Sequence, residues 1–381
     1  MIRITDKSKC TGCTACVSAC PRQCIVMRRD REGFDYPVAN PDLCIGCGKC
    51  DEICPVLNPG YQSEPLEAYA ARVPEYLNGS SSGGVFPKLA ERALKTGGVV
   101  FGAVMNDDMT VGHSEAETLD EMQRMRGSKY VQSDMYSAYE DARTYLNEGR
   151  RVFFTGTPCQ IAGLNAYLGK EYENLLTAEI ACHGVPGPGL WSKYVEALGR
   201  KYGASVTDVC FRDKKSGWRR YSFSFTTGDR RVSVPYTKDP YMTLFIQDMI
   251  LRPSCHTCPA RDGRSGSDLT IADLWNVAGT VPEMDDDRGV SLILANSAKG
   301  VDALKDMDLK RVDVKAASLK NSGFAASVPC PERRAEFFAG LHSTKDVISY
   351  MKGFVTRTWS VRKLYQRFHT LMSKIKRRIL R

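Results

Sequence analysis

Nine of the fifteen cysteines lie within the first 54 residues, and eight of them repeat one spacing. Cys10, Cys13, Cys16 and Cys20-Pro21 read C-x2-C-x2-C-x3-C-P, and Cys44, Cys47, Cys50 and Cys54-Pro55 read it again. Thiolates this close together bind soft metals. Glycines between them (Gly12, Gly46, Gly48) let backbone N–H groups approach the ligating sulfurs. Zinc motifs usually pair two C-x2-C units over a longer gap. Two complete four-cysteine runs, each closed by proline, favour iron–sulfur clusters over zinc. Cys24 falls outside the repeat and is expected to pack against a cluster.

This spacing is similar to that of bacterial two-cluster ferredoxins. The resemblance implies that the fourth cysteine of each run serves the other cluster. Cys10, Cys13, Cys16 and Cys54 would hold one 4Fe-4S cluster, and Cys44, Cys47, Cys50 and Cys20 the second. Such a module moves single electrons, so a later part of the chain or a partner must exchange them.

A further cysteine, Cys159, sits in Phe153-Phe154-Thr155-Gly156-Thr157-Pro158-Cys159-Gln160-Ile161. An apolar run ends in a small-residue turn and a helical pattern follows. The backbone N–H groups of such a turn suit an anionic cofactor, which makes Thr155, Gly156 and Thr157 candidate cofactor residues. Cys159 itself reads as a nucleophile, a metal ligand or a small buried residue. No local histidine and acid supply the partners that a cysteine nucleophile needs. Cys182 closes another strand and is followed by His183, and Cys255-His256-Thr257-Cys258 adds a C-x2-C. Cys159, Cys182, Cys255 and Cys258 make a third possible cluster, with zinc a rival at this spacing. His183 and His256 are candidates for ligand or proton donor, and His183 is the one catalytic candidate retained.

Two further loops are candidates for cofactor binding. Ser81, Ser82, Gly83 and Gly84 precede a helical pattern and read either as a phosphate cradle or as an ordinary helix cap. Gly127, Ser128 and Lys129, within the basic stretch Arg124–Ser133, read as an anchor for an acidic cofactor tail or as a solvated loop. Asp273 and Trp275 end a strand, where they can border a flat cofactor or serve as a capping acid and a core aromatic.

The elements that must position these residues follow from periodicity. Asn58–Pro65 is rich in proline, glycine and polar residues and reads as a boundary. Strands are expected at Glu67–Val73, Val99–Met105, the approach to Thr155, the approach to Cys182, Tyr221–Phe225 and Asp268–Asp273. Helices are expected after Gly84, with Pro87 in the first turn, then over Ser133–Asn147, after Thr157 and over Glu332–Tyr350. The resulting fold class is α+β with α/β character: a ferredoxin-like module at 1–60, a mixed α/β domain at 61–345, and a helical tail at 346–381.

At 381 residues the chain accommodates two or three domains. No run of eighteen apolar residues occurs and Met1–Lys9 has no signal-peptide core, so a cytoplasmic protein is expected, with clustered cysteines for metal rather than disulfides. The formal charge of +9 is concentrated between Gly353 and Arg381, with nine Lys/Arg and no acid. That argues against a nucleic-acid-binding surface. The three- and four-residue steps of Val361, Leu364, Phe368, Leu371, Ile375 and Ile379 instead suggest a basic amphipathic helix. Such a helix suits peripheral contact with the inner face of a membrane, an acidic partner, or packing on its own domain.

Seven motifs in order resemble the beta-subunit family of coenzyme F-420 hydrogenases and dehydrogenases. They are Ser81-Ser82-Gly83-Gly84, the stretch from Gly127 to Ser133, Gly156-Thr157-Pro158-Cys159-Gln160-Ile161, Cys182-His183-Gly184, Phe211-Arg212-Asp213-Lys214 with Gly217-Trp218, Cys255-x2-Cys258 and Asp273-x-Trp275. The resemblance implies an FAD-dependent oxidoreductase whose flavin faces a 4Fe-4S cluster held by Cys159, Cys182, Cys255 and Cys258. It leaves the substrate open, because the family includes members that use no deazaflavin. Three functions follow: a reductase of an organic substrate supplied by an electron-donor protein or small redox carrier, a coenzyme F-420-dependent enzyme component, or a non-catalytic electron-transfer component of a larger complex.

Overall fold

The computed structural model describes residues 2, 4, 6–60, 62–318, 321 and 326–355. The basic stretch from Arg357 to Arg381, and with it the amphipathic helix read there, lies outside the described residues. Among the described residues, no helix is long and apolar enough to cross a membrane.

The duplicated spacing folds as a duplicated loop. In the first copy Gly12 (φ 70°) and Thr14 (φ 64°) are left-handed and lead into α1 (Ala15–Ser18). In the second, Gly46 (φ 70°) and Gly48 (φ 77°) repeat the turn and lead into α2 (Lys49–Glu52). Thr14 adopts, with a side chain, the conformation that glycine supplies in the second copy, at a cost of about 1–2 kcal/mol. Between the copies, β1 (Ile25–Arg29) and β2 (Asp35–Ala39) form an antiparallel hairpin.

Among the described residues, the central sheet has eight strands in the order β13–β3–β12–β11–β7–β6–β4–β5. They are β3 (Glu67–Ala71), β4 (Val99–Met105), β5 (Val111–Ala116), β6 (Val152–Gly156), β7 (Leu175–Ile180), β11 (Leu269–Asp273), β12 (Ser291–Ala295) and β13 (Leu309–Arg311). β4, β6, β7 and β11 are parallel; β5, β12 and β13 each pair antiparallel with a neighbour. Side chains alternate between two cores. Val99 and Phe101 join one and Val100 and Val104 the other. Helix α3 (Val85–Lys95) covers one face with Val85, Leu89 and Ala90. The short α4 (Leu119–Gln123) is closed by a capping box between Thr118 and Glu121. On the other face lie α5 (Ala138–Asn147) and α6 (Pro158–Leu168), contributing Tyr139, Ile161 and Leu164. Burial on both faces explains the near-continuous apolar runs of these strands.

A second, antiparallel sheet is built from β8 (Val206–Asp213), β9 (Ser222–Thr227) and β10 (Arg230–Pro235). It packs against α7 (Pro188–Tyr202), α8 (Pro240–Ile246) and the helices Arg334–Gly340 and Val347–Phe354 around an aromatic core that includes Trp191, Phe211, Phe223 and Tyr241. Phe34 and Tyr36, from the β1–β2 hairpin, enter this same core. Beside them Gly189 N donates to Gly33 O at 3.0 Å, and a Cβ on Gly189 would lie 2.7 Å from the Gly33 Cα. The cysteine-rich module is therefore seated in the body of the protein. The boundary stretch is tied down as well, with Ser63 Oγ donating to Gly263 O at 3.0 Å.

Two expected helices differ. Over 133–147 the helix begins only at Ala138, because Asp134 pairs with the edge of β5: Asp134 N donates to Val111 O at 2.9 Å and His113 N to Asp134 O at 2.7 Å. Over 332–350 there are two helices, and the second is restarted by Asp346, whose carboxylate accepts from Ser349 N at 3.0 Å.

Candidate redox site

Cys10, Cys13, Cys16 and Cys54 line one cavity. Cys20, Cys44, Cys47 and Cys50 line another, together with Cys24. Each cavity thus receives three cysteines from one repeat and the fourth from the other. Four thiols around one space fit a 4Fe-4S cluster by donor set. Cys24 Sγ lies 3.4 Å from Cys20 Sγ, at the wall of the second cavity. Burial pushes the Cys13 thiol up to about 12 and the Cys16 thiol higher, and neighbouring thiols add to both.

The two cavities differ in their surroundings. Cys10, Cys13, Cys16 and Cys54 are all buried, whereas Cys47 is exposed and Cys20 and Cys44 are half-buried. A Cβ on Gly12 would meet Arg252 Nη1 and Gln132 Nε2, each at 2.8 Å, whereas Gly46 and Gly48 have nothing within 4 Å. One half of the repeat faces the protein, and the other faces outward.

Cys159, in the first turn of α6, lies beyond the end of β6, and Cys182 lies two residues beyond β7. These are the carboxyl ends of adjacent parallel strands, where open α/β sheets hold ligands. Cys255 and Cys258 come from the 3₁₀ turn Pro253–Thr257 and the residue after it. Burial pushes the Cys159 thiol well up, reinforced by Cys258, Cys182 and Cys13. Burial also pushes Cys182 up to about 12, with Cys255 and Cys258 adding to it. The four cysteines therefore form one electrostatic neighbourhood, which includes Cys13 of the first cavity.

Contact across that neighbourhood is direct. A Cβ on Gly163, one turn after Cys159, would lie 3.3 Å from Cys13 Sγ. The buried Tyr139 hydroxyl lies 2.9 Å from both Cys13 O and Gln160 O. His183 follows Cys182 and is engaged: its Nε2 lies 2.6 Å from Asp248 Oδ1, close but without hydrogen-bond alignment, and its ring meets Phe245 edge-on. His256 Nδ1 is 3.1 Å from Val328 O.

The cofactor-loop candidates fall into three adjoining groups. Ser81 Oγ accepts from Ser128 N at 2.8 Å and lies 2.9 Å from Ser128 Oγ, which joins the Ser81–Gly84 and Gly127–Lys129 loops. Arg126 Nη2 donates to Tyr76 O at 3.0 Å, in the turn that precedes the Ser81–Gly84 loop, and Lys214 donates to Ser82 O at 3.1 Å. Gly83 must be glycine, since a Cβ there would lie 2.4 Å from Ala71 O. At the second group, Thr157 N donates to Gln160 Oε1 at 2.9 Å, so helix α6 satisfies this amide with its own side chain. Thr155 Oγ1 donates to Phe101 O at 2.9 Å, and Gly156 ends β6 beside them. At the third, Asp273 is paired with Arg212 and accepts from Trp218 Nε1 at 3.0 Å, so it is no helix cap; Trp275 stacks on Trp218 at 4.7 Å.

Arg212 supplies the test of fit for a further group. It is 6% exposed, yet its Nε and Nη2 find no acceptor among the described residues. Burial pushes Lys129 down to about 7 and Lys214 down to about 8. Buried unsatisfied donors beside desolvated cations fit an anionic, acceptor-rich group. In the sequence, Arg212 and Lys214 stand out only as members of a motif.

Sequence pattern also gives no sign of a buried chain of hydrogen bonds behind Cys159. Gln160 Nε2 donates to Ser133 Oγ at 2.8 Å, and Ser133 Oγ lies 3.0 Å from His113 Nδ1. His113 Nε2 lies 2.9 Å from Thr155 O. A carbonyl only accepts, so Nε2 carries the proton and Nδ1 accepts from Ser133. Nothing in the spacing of these residues announces the chain.

Residues 149–320 match the family model that describes the C terminus of the coenzyme F420 hydrogenase/dehydrogenase beta subunit. Residues 9–58 match the 4Fe-4S dicluster domain. Ser81–Gly84 and Gly127–Lys129 lie outside both matched ranges. The chain is 24% identical over 163 residues to the F subunit of the F(420)H(2) dehydrogenase of Methanosarcina mazei, covering 40% of this chain and 46% of that one. It is 42% identical over 53 residues to the ferredoxin 7Fe of Hydrogenibacillus schlegelii, covering 14% of this chain and 62% of that one. The chain spans about half the length of the F(420)H(2) dehydrogenase component, and 56% of an uncharacterized relative in Methanocaldococcus jannaschii. Among solved structures, it matches a chain of the F420-reducing [NiFe] hydrogenase complex from Methanosarcina barkeri with TM-score 0.46 and 18% identity, over 69% of this chain and 91% of that one.

Proposed function

We propose that this chain, which belongs to the coenzyme F420 hydrogenase/dehydrogenase beta-subunit family and carries a 4Fe-4S dicluster domain, is an FAD-dependent oxidoreductase that exchanges electrons between an external carrier and an organic substrate. Two clusters belong to the N-terminal cysteines and a third to Cys159, Cys182, Cys255 and Cys258. When bound, flavin handles electrons in pairs or singly, and clusters carry them singly. The observation that carries the reading is the contact of Cys13 with α6, where a Gly163 Cβ would lie 3.3 Å from Cys13 Sγ.

The chain's own residues have distinct tasks in this reading. Ser81–Gly84 and Gly127–Lys129 bind the cofactor's polar groups, with Arg212 donating its free N–H groups. Thr155, Gly156 and Thr157 hold the turn that carries Cys159. Asp273 and Trp275 fix Arg212 and the aromatic wall beside it. His183, whose carbonyl accepts from Arg261 and whose ring packs edge-on against Phe245, positions Cys182 rather than reacting. Domain limits of 1–60, 61–345 and 346–381 accompany this assignment.

Anaerobic purification followed by iron, sulfide and flavin analysis tests it. About twelve irons per chain, three cubanes of four, with bound FAD is the expected result. Eight irons without flavin overturns it and leaves an electron-transfer protein. Zinc at the central cysteines also overturns it. A second reading, a coenzyme F-420-dependent enzyme component, draws on the likeness to the F(420)H(2) dehydrogenase. Reduction of coenzyme F-420 by the purified chain selects it. For the basic tail, the sequence favours an anionic membrane face and a cytoplasmic site; loss of liposome cosedimentation on deleting residues 355–381 is the corresponding test.

A further inference from the structure

Four arginines are buried among the described residues: Arg212, Arg252, Arg261 and Arg334. Two have carboxylate partners, Asp273 for Arg212 and Glu32 for Arg334. The other two have none among the described residues, and they flank the central C-x2-C symmetrically, three residues before Cys255 and three after Cys258.

Arg252 is fully buried. Its Nε donates to Cys10 O at 2.8 Å, Nη1 to Gln132 Oε1 at 2.9 Å and Nη2 to Asp35 O at 3.0 Å. Nη2 also lies 3.8 Å from Cys10 Sγ, and the guanidinium sits 4.2 Å from the Tyr36 ring centre. Cys255 N donates to Arg252 O at 2.9 Å. One residue thus joins the Cys10 loop to the Cys255–Cys258 loop. Arg261 stands on the other side, with Nη2 donating to His183 O at 2.7 Å and Nη1 to Ala326 O at 2.6 Å. Neutral acceptors satisfy the Arg252 donors, whereas Arg261 Nε finds no acceptor among the described residues. Both side chains leave a charge in a low-dielectric interior, an arrangement that is expensive without counter-charge.

We propose that Arg252 and Arg261 are the counter-cations of the iron–sulfur centres, and that Arg252, shared between the first N-terminal cluster and the central one, raises the reduction potentials of both. The inference rests on the reading that both cysteine sets hold clusters. A cluster with four thiolate ligands is anionic and gains one further negative charge on reduction. A fixed cation and N–H donors directed at its sulfurs stabilise the reduced form more than the oxidised one. Because one guanidinium serves two centres, it raises them together and keeps the step between them shallow. Arg261 acts on the central centre alone.

The test is a redox titration followed by electron paramagnetic resonance on the full-length, anaerobically purified chain. Signals are assigned with Cys10→Ser for the first cluster, Cys47→Ser for the outward-facing one and Cys182→Ser for the central one. Arg252→Met is expected to keep wild-type iron and sulfide and to lower the reduction equilibrium of two centres at least tenfold, about 59 mV for one electron. The outward-facing centre should not move, and Arg252→Lys should retain most of the wild-type potential. Arg252→Met with full iron and unchanged potentials overturns the proposal. Should Arg252→Met fail to assemble, Arg261→Met decides: it must lower the central centre alone, and an unchanged value overturns the proposal. Fewer than three clusters in the wild-type chain would instead remove the functional reading on which the inference rests, and iron analysis separates that outcome from the others.

Discussion

Cys13 and Gly163 face each other so closely that a Cβ on the glycine would lie 3.1 Å from the Cys13 Cβ and 2.8 Å from the Tyr139 hydroxyl oxygen. No side chain fits there without moving the loop that holds the first cavity. Gly163→Ala is therefore expected to destabilise the protein by about 1–3 kcal/mol and to reduce the iron retained by the first cluster. Thermal unfolding and iron analysis of the purified variant measure both, and wild-type values for the two would disprove the close fit.

Tyr139→Phe removes the hydroxyl that bridges Cys13 O and Gln160 O while leaving the ring in place. A loss of about 1–3 kcal/mol is expected, since buried acceptors lose their partner. Iron content should stay at the wild-type level, which distinguishes this change from Gly163→Ala.

Gly83→Ala acts on the other end of the site. Its Cβ would lie 2.4 Å from Ala71 O and 2.7 Å from Ser291 N, and neither backbone atom can yield cheaply. On the proposed function, the expected outcome is loss of bound flavin with cluster iron retained. Equal loss of flavin and iron would show a general folding defect instead.

Arg212→Met removes one member of a buried ion pair and strands Asp273. A destabilisation of about 3–5 kcal/mol is expected. Arg212→Lys keeps a charge near Asp273 but loses the two free N–H groups, so it should be milder in unfolding yet still deficient in flavin. Full flavin occupancy in Arg212→Lys would exclude Arg212 from cofactor binding.

His113 supplies a pH dependence. Burial pushes it down from 6.5 to about 4, so the folded state holds the ring neutral while the unfolded state protonates it near 6.5. The unfolded chain therefore binds the extra proton between these values. The stabilisation is fully present above pH 6.5 and is lost as pH falls towards 4. Between pH 6.5 and 5 the loss is about 1.5 kcal/mol. Denaturant unfolding of His113→Asn should show a correspondingly flatter pH profile, and an identical slope would mean the ring is accessible when folded.

The parts of this site that were legible in the sequence are local ones. The doubled cysteine spacing, the turn from β6 into Cys159 and the strand Val99–Met105 each follow from a few adjacent residues. What could not be read is the pairing of distant segments. Asp273 has the sequence context of a cap, and only the fold brings Arg212, some sixty residues earlier, against it. The run from Ser133 has a composition that permits a helix, but the edge of β5 offers Asp134 better partners. Arg252 and Arg261 do leave a trace, in their equal spacing about Cys255 and Cys258, yet only their burial gives that symmetry meaning.

The outward-facing half of the cysteine repeat has a further consequence for how the protein ages. Oxygen and chelators reach an iron–sulfur centre through its most accessible ligands, and Cys47 is exposed while Cys10, Cys13, Cys16 and Cys54 are buried. Damage should begin at that end and move inward in a fixed order. On the proposed function, a partly inactivated preparation would consequently keep its interior chemistry while losing its connection to the outside, and would register as a failure of electron delivery before any failure of catalysis.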